Sequence, residues 1–302
     1  MSNIFDALQR AESETTGTEK PTFSLATELL QVAEQKMRDA GSNGKQHAGA
    51  ETFDPPPPTS FEGLERCPVL NVSIPLESRL VSVGKEESLG AEKFRFLAVR
   101  LRQLRQTRPL KKILITSTIP QEGKSTVAAN LACTLARRKQ HRTLLLEGDL
   151  RRPTVAQKFG LCPLPGLCEW LRGETQTMNV YRLEALGLWI LPAGNAPENP
   201  LELMQSGKLA PLMDQLTSWF DWIVIDSPPV LPLADTSIWS RLADGILLVT
   251  RKGITEKQQL QRGLETLEKS KLLGALVNSS LNAAHSDYYQ RYSSSPVGQS
   301  KK

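Results

Sequence analysis

Ten consecutive residues constrain this chain more than any other feature: Ser117-Thr118-Ile119-Pro120-Gln121-Glu122-Gly123-Lys124-Ser125-Thr126. They follow an apolar, strand-like run at 113–116 and precede a segment rich in Ala and Leu. A Gly-Lys-Ser-Thr between a buried strand and a helix is the setting of a phosphate loop. Loop amides and the helix N-terminus present positive dipole to phosphate oxygens. Gly123 lets the backbone come close without a Cβ. Lys124 supplies a point charge to the β- and γ-phosphates, and the Ser125 hydroxyl is a Mg²⁺ ligand. The general pattern carries Gly five residues before Gly123, where this chain has Thr118.

The surrounding pattern agrees with that loop. Strand-like runs at 113–116, 143–146, 188–191, 222–225, 245–250 and 273–277 alternate with helix-like segments near 124–138, 165–173, 208–219, 235–242 and 256–270. Such alternation predicts an α/β fold, a doubly wound parallel sheet of the P-loop NTPase type with helices on both faces. Ligands then sit beyond the C-terminal ends of the strands. A further helix is predicted over 86–107, where Phe94, Leu97, Leu101 and Leu104 share one face. From Lys93 to Lys112 there are eight Lys or Arg and no acid.

The ends read differently. Residues 1–60 carry a net charge of −4 within a chain of +5, are rich in Thr, Gly, Ser and Gln, and end near four consecutive prolines, 55–58. They are expected to be a mostly disordered extension with one or two short docking helices, followed by a linker at 61–85. The P-loop domain is expected to occupy 86–282, and 283–302 a flexible, serine-rich tail. No apolar run reaches the ~18 residues of a membrane-spanning helix, and Met1 to Glu12 lacks a secretory signal's apolar stretch. Cys67, Cys133, Cys162 and Cys168 show no CxxC spacing, which suits buried thiols in a reducing cytoplasm.

Two acidic strand ends complete the predicted site. Leu144-Leu145-Leu146-Glu147-Gly148-Asp149 closes one strand, and Trp222-Ile223-Val224-Ile225-Asp226 closes another. Asp226 fits a Walker B residue that holds Mg²⁺, and acids at two strand ends beside the loop are what Mg–ATP requires. Loop residues Thr118, Ile119, Pro120, Gln121, Glu122, Gly123, Lys124, Ser125 and Thr126 are expected to bind the nucleotide. Asn278 and Arg251, at neighbouring strand ends, are candidates for the adenine base, through an amide contact and stacking. Both also suit ordinary turn positions.

Taken together these residues resemble the bacterial tyrosine kinases of capsule and exopolysaccharide assembly, the BY-kinases, over about 86 to 292. Ser117 to Thr126 match that family's S-x-x-P-x-x-G-K-S-T loop. Glu147, Asp149, Arg151 and Pro153 match its D-x-D-x-R-x-P motif, with Glu in place of the first Asp. Asp226-Ser227-Pro228-Pro229 match its Walker B end. The family also ends in a tyrosine cluster. Three of the four tyrosines here, Tyr288, Tyr289 and Tyr292, lie in the last fifteen residues.

The resemblance implies an ATP- and Mg²⁺-dependent protein-tyrosine autokinase that phosphorylates Tyr288, Tyr289 and Tyr292 and regulates polysaccharide synthesis and export. Lys124, Glu147, Asp149 and Asp226 would be catalytic, with Glu147 nearest the base role and Asp149 orienting a Mg²⁺-bound water or sharing that role. Ser125, Asp149 and Asp226 would hold the metal. It further implies self-association into a ring, although only Glu92 and Arg95 match the family's E-x-x-R-x-x-R helix, with Ala98 third and Arg100 displaced. A separate membrane polysaccharide co-polymerase would recruit the cytoplasmic chain and activate it. The alternatives are a switch ATPase, which would carry a lysine at the position of Ile119, and a nucleotide-binding adaptor with little catalysis. Nucleic acid is not an expected partner, because no aromatics interleave the basic segment.

Overall fold

Strict two-residue alternation organises the core of the chain. The structure, a computed structural model, describes residues 64, 67–84, 88–138, 140–231 and 234–278. Ile113, Ile115, Leu145, Val224, Leu247 and Val249 face one apolar core. Leu114, Leu144, Leu146, Ile223, Ile225, Ile246 and Leu248 face a second. Strands buried on both sides read as continuous apolar runs, as parallel sheets demand.

The described strands are β1 (Val69–Leu70), β2 (Lys112–Ser117), β3 (Thr143–Glu147), β4 (Tyr181–Leu183), β5 (Leu188–Leu191), β6 (Trp222–Asp226), β7 (Gly245–Arg251) and β8 (Leu272–Asn278). They form one sheet in the order β1-β4-β5-β3-β6-β2-β7-β8. All described pairings are parallel except β4 with β5. The six predicted strands are all present, within one or two residues at each end. β1 and β4 were not expected; at two and three residues they are too short to show a period.

Helices cover both faces. They are α1 (Leu89–Arg105), α2 (Lys124–Ala136), α3 (Val155–Lys158), α4 (Leu167–Arg172), α5 (Pro200–Met204), α6 (Leu209–Trp219), α7 (Asp235–Leu242) and α8 (Lys257–Thr266). Ala98 and Leu101 of α1, most of α2, and Val155 of α3 join the first core. Buried residues of α4, α5, α6 and α7 join the second. The doubly wound α/β sheet expected from the sequence is therefore observed. The helix predicted at 86–107 is α1, with Ser88 capping the Ala91 amide at 3.1 Å. The short helices α3 and α5 were not expected.

A buried polar seam joins α2 to the segment before α1. The Asn130 amide donates to the Arg79 and Thr126 carbonyls at 3.0 and 2.9 Å, and its oxygen accepts from the Ser82 amide at 3.0 Å. Thr134 donates to the Ser82 hydroxyl at 2.9 Å. Each buried polar group is thus partnered, which fixes how 79–82 lies on the loop-bearing helix.

Among the described residues no helix is long and apolar enough to cross a membrane. Among the described residues no disulfide joins the four cysteines: Cys133 and Cys168 are buried, Cys67 is half-buried and Cys162 is exposed. Burial pushes the Cys133 and Cys168 thiols up to about 12, so neither is a nucleophile near neutral pH. The expectations for 1–60 and for the tail at 283–302, with Tyr288, Tyr289 and Tyr292, lie outside the described residues.

Candidate active site

Sheet register brings the predicted residues together. Asp226 at the end of β6 pairs with Glu147 of β3 on one side and with Ile115 of β2 on the other. Arg251 of β7 pairs with Asn278 of β8, one strand beyond β2. The C-terminal ends of β2, β3, β6, β7 and β8 therefore surround residues 118–123.

The loop's shape rests on a positive φ and a buried acid. Gly123 has φ +93°, and a side chain there would strike the Asn278 amide. No side chain caps the first turn of α2, so its N-terminus is open to an anion. Glu122 is fully buried. One of its oxygens accepts from the Ile119 amide at 2.8 Å; the other accepts from the Thr255 hydroxyl and, at 3.3 Å, from the Arg251 amide. The loop is thereby fastened to the turn after β7. Thr255 was not recognised from sequence; it contacts the loop across 133 positions, and no local pattern marks it.

Asn278 and Arg251 also touch the loop. The Asn278 amide donates to the Glu122 carbonyl at 2.9 Å, and an Arg251 guanidinium nitrogen donates to the Gln121 carbonyl at 3.4 Å. Both residues lie at the loop's edge, where the sequence placed them. The structure directs these donors at loop carbonyls.

Lys124 is the centre of charge. Its ammonium donates to Asp149 at 2.8 Å and to the Ser125 hydroxyl at 3.2 Å, and lies 3.8 Å from Asp226. Burial works against that charge, but Asp226 and Asp149 outweigh it and leave the Lys124 pKa raised.

Asp226 is fully buried; neither carboxylate oxygen makes a hydrogen bond of normal geometry, and the polar groups nearest it are the Ser125 hydroxyl and the Lys124 ammonium, the latter at 3.8 Å. Burial pushes its carboxyl up, while Lys124 and the Ser125 hydroxyl pull it down. A buried carboxylate so sparsely partnered suits a cation as its main ligand. Among the described residues no group of three or more His, Cys, Asp and Glu forms a metal cage. A hydroxyl and one or two carboxylates beside a phosphate loop instead suit Mg²⁺, which keeps several waters and takes phosphate oxygens as ligands.

Glu147 is placed differently from Asp149. One Glu147 oxygen accepts from the Thr154 amide and, at 2.6 Å, from the Val155 amide; the other accepts from the Ala193 amide at 3.0 Å. Burial pushes this carboxyl up to about 7 against the pull of those three amides. Its oxygens point into backbone, whereas Asp149 meets Lys124 directly.

The turn that carries Asp149 is held from α7. Trp239 donates to the Gly148 carbonyl at 2.9 Å, and a Cβ on Gly148 would lie 2.7 Å from that indole. Arg151 grips the buried Asp235 through two hydrogen bonds, at 2.7 and 3.1 Å. Trp239 and Asp235 were missed from sequence, since each resembles an ordinary core or helix-start residue there.

A mostly parallel sheet with a Gly-Lys-Ser-Thr loop, a half-buried lysine and a buried carboxylate at the same strand ends defines the chain as a P-loop protein. No family model matches it. Similar proteins nonetheless agree closely. The chain is 35% identical over 216 residues to "Tyrosine-protein kinase YwqD" of Bacillus subtilis, which covers 70% of this chain and 91% of that protein. It is 36% identical over 207 residues to "Succinoglycan biosynthesis transport protein ExoP" of Rhizobium meliloti, covering 67% of this chain and 26% of the other. Among solved structures, that of the chimerical protein CapA2B2 superposes with a TM-score of 0.63 at 30% identity, over 71% of this chain and 95% of that one. The chain belongs to the bacterial tyrosine-protein kinases.

Proposed function

We propose that this chain transfers the γ-phosphate of Mg–ATP to tyrosines of its own C-terminal segment, Tyr288, Tyr289 and Tyr292. The fully buried, under-compensated Asp226 carboxylate beside Lys124 and Ser125 carries this reading. Bound magnesium would neutralise β- and γ-phosphate oxygens as charge develops. Ser125, Asp149 and Asp226 would hold it, Lys124 would turn from Asp149 to the phosphates, and the amides of 118–126 would cradle them. Asn278 and Arg251 border the base.

Asp149 takes the proton of the attacking hydroxyl once Lys124 has moved to the phosphates, because the oxygen that Lys124 leaves faces the site, whereas both Glu147 oxygens are held by backbone amides. Glu147 serves by holding the turn that presents Asp149. The similarity to ExoP, a succinoglycan biosynthesis transport protein, supports regulation of polysaccharide synthesis through a membrane co-polymerase that recruits this chain. Self-association would use α1, where Phe96 and Val99 are 64% and 46% exposed beside the Glu92–Arg95 pair.

Phosphotyrosine mapping by mass spectrometry after incubation with Mg–ATP tests the reading. Phosphate is expected on Tyr288, Tyr289 and Tyr292, and should vanish in Lys124→Met and when all three become Phe. ATP hydrolysis without phosphotyrosine would make the chain a switch ATPase; binding alone would make it an adaptor. Each measurement is repeated with the partner's cytoplasmic segment.

A further inference from the structure

Lys158, at the end of α3, is a half-buried cation that the account above does not use. Its ammonium donates to the Thr126 hydroxyl at 2.9 Å. Thr126 stands on the first turn of α2, two residues after Lys124 and directly after Ser125. No ion pair among the described residues involves Lys158. The acids in its field are committed elsewhere: Asp149 binds Lys124, Asp226 lies 3.8 Å from Lys124, and Glu147 accepts from three backbone amides.

Burial lowers the Lys158 pKa; Asp226 and Glu147 counter it, while Lys124 and Arg79 add to it. A neutral hydroxyl is thus its one direct partner, and two further cations share its surroundings. The open, positive end of α2 adds to the same potential. A cation withdrawn from water is costly unless an anion meets it. The placement of α3 is not accidental either. Glu147 binds the amides of Thr154 and Val155, and Phe159 is buried in the first core, so both ends of this short helix are anchored.

We infer that Lys158 is a second phosphate-binding lysine, which leaves the Thr126 hydroxyl to meet the polyphosphate of the bound nucleotide from the side opposite the loop. This rests on the nucleotide-binding reading and extends it to a helix outside the phosphate-loop motif. The chemistry required is an anionic oxygen, such as the α- or β-phosphate of a nucleoside diphosphate, and the loop places those beside Thr126. With the anion bound, α3 and α2 are bridged by a charge rather than by one neutral hydrogen bond. The neighbouring turn that carries Asp149 is then tightened by nucleotide itself.

Calorimetric titration of the full chain with Mg–ADP separates the possibilities. Wild-type protein should bind, and Lys158→Met should bind about 10-fold more weakly, the loss of one charge-assisted contact. The salt dependence of binding should become shallower in this variant. Lys158→Arg should stay within about 3-fold of wild type. Melting of the nucleotide-free Lys158→Met protein should be unchanged or higher, since an uncompensated cation has been removed; a purely structural lysine would lower it.

Failure of wild-type protein to bind Mg–ADP would sink the nucleotide reading itself. Wild-type binding with equal affinity in Lys158→Met would overturn this inference alone. Unchanged ADP affinity with lost phosphotyrosine would also overturn it, because Lys158 would then serve the acceptor.

Discussion

Asp226→Asn should raise the melting temperature of the nucleotide-free protein and lower tyrosine phosphorylation by about 10³-fold. The two effects share one cause. Asp226 is fully buried, and the Ser125 hydroxyl and Lys124, 3.8 Å away and bonded to Asp149 at 2.8 Å, compensate its charge incompletely, so its carboxyl stays raised. An amide of the same shape removes a charge that is costly to desolvate, which should stabilise the fold by about 1–2 kcal/mol, or ~2–6 °C for a domain of this size. The same change removes the anion that a magnesium–nucleotide complex would meet, and misplaced charge in phosphoryl transfer costs on the order of 10²–10³ in rate. Differential scanning fluorimetry and phosphotyrosine quantitation on one preparation check both halves. A lower melting temperature would mean that Asp226 is already satisfied in the free protein.

Glu147→Gln should act in the opposite sense on stability. Glu147 receives three backbone amides, two on one oxygen and one on the other. An amide side chain must turn its NH₂ group toward backbone N–H on one side, and unsatisfied buried groups cost about 1–3 kcal/mol. The melting temperature should fall by ~3–10 °C, and phosphorylation with it, because the turn bearing Asp149 loosens. A group acting only as proton acceptor would lose rate and leave melting unchanged.

The pH dependence adds a second test. The folded carboxyl titrates near 7, above its ordinary value of 4.5, so the folded state binds the proton more tightly between the two. The associated stability is full below about pH 4.5 and is lost as pH rises through 7. Wild-type protein should therefore lose more stability than Glu147→Gln between pH 5 and 8.

Much of this arrangement was legible before any coordinates. Runs such as Leu144-Leu145-Leu146 and Ile223-Val224-Ile225 can be continuous only where both faces of a strand are covered, and they became β3 and β6. The phosphate loop was readable because Gly123, Lys124 and Ser125 are contiguous. That Asp226, Asp149, Arg251 and Asn278 would lie near the loop could be read because strand ends at one edge of a parallel sheet converge.

What escaped were relations between distant positions. Thr255 fastens Glu122, Asp235 grips Arg151, and Trp239 closes on Gly148, each across more than 80 residues. None belongs to a local period. The role expected of Glu147 was drawn from its alignment with an aspartate; the added methylene carries its oxygens into the amides of Thr154, Val155 and Ala193. Lys158 carried no signal in the sequence, because four-residue α3 has no face to read.

The most direct test of the account is calorimetry of the wild-type chain with ADP, in magnesium and again in excess chelator. One nucleotide per chain should bind in magnesium, with much weaker binding in chelator and in Asp226→Asn. No uptake in magnesium, or uptake indifferent to both the metal and Asp226, would contradict the claim that this buried carboxylate and the phosphate loop form a single magnesium–nucleotide site.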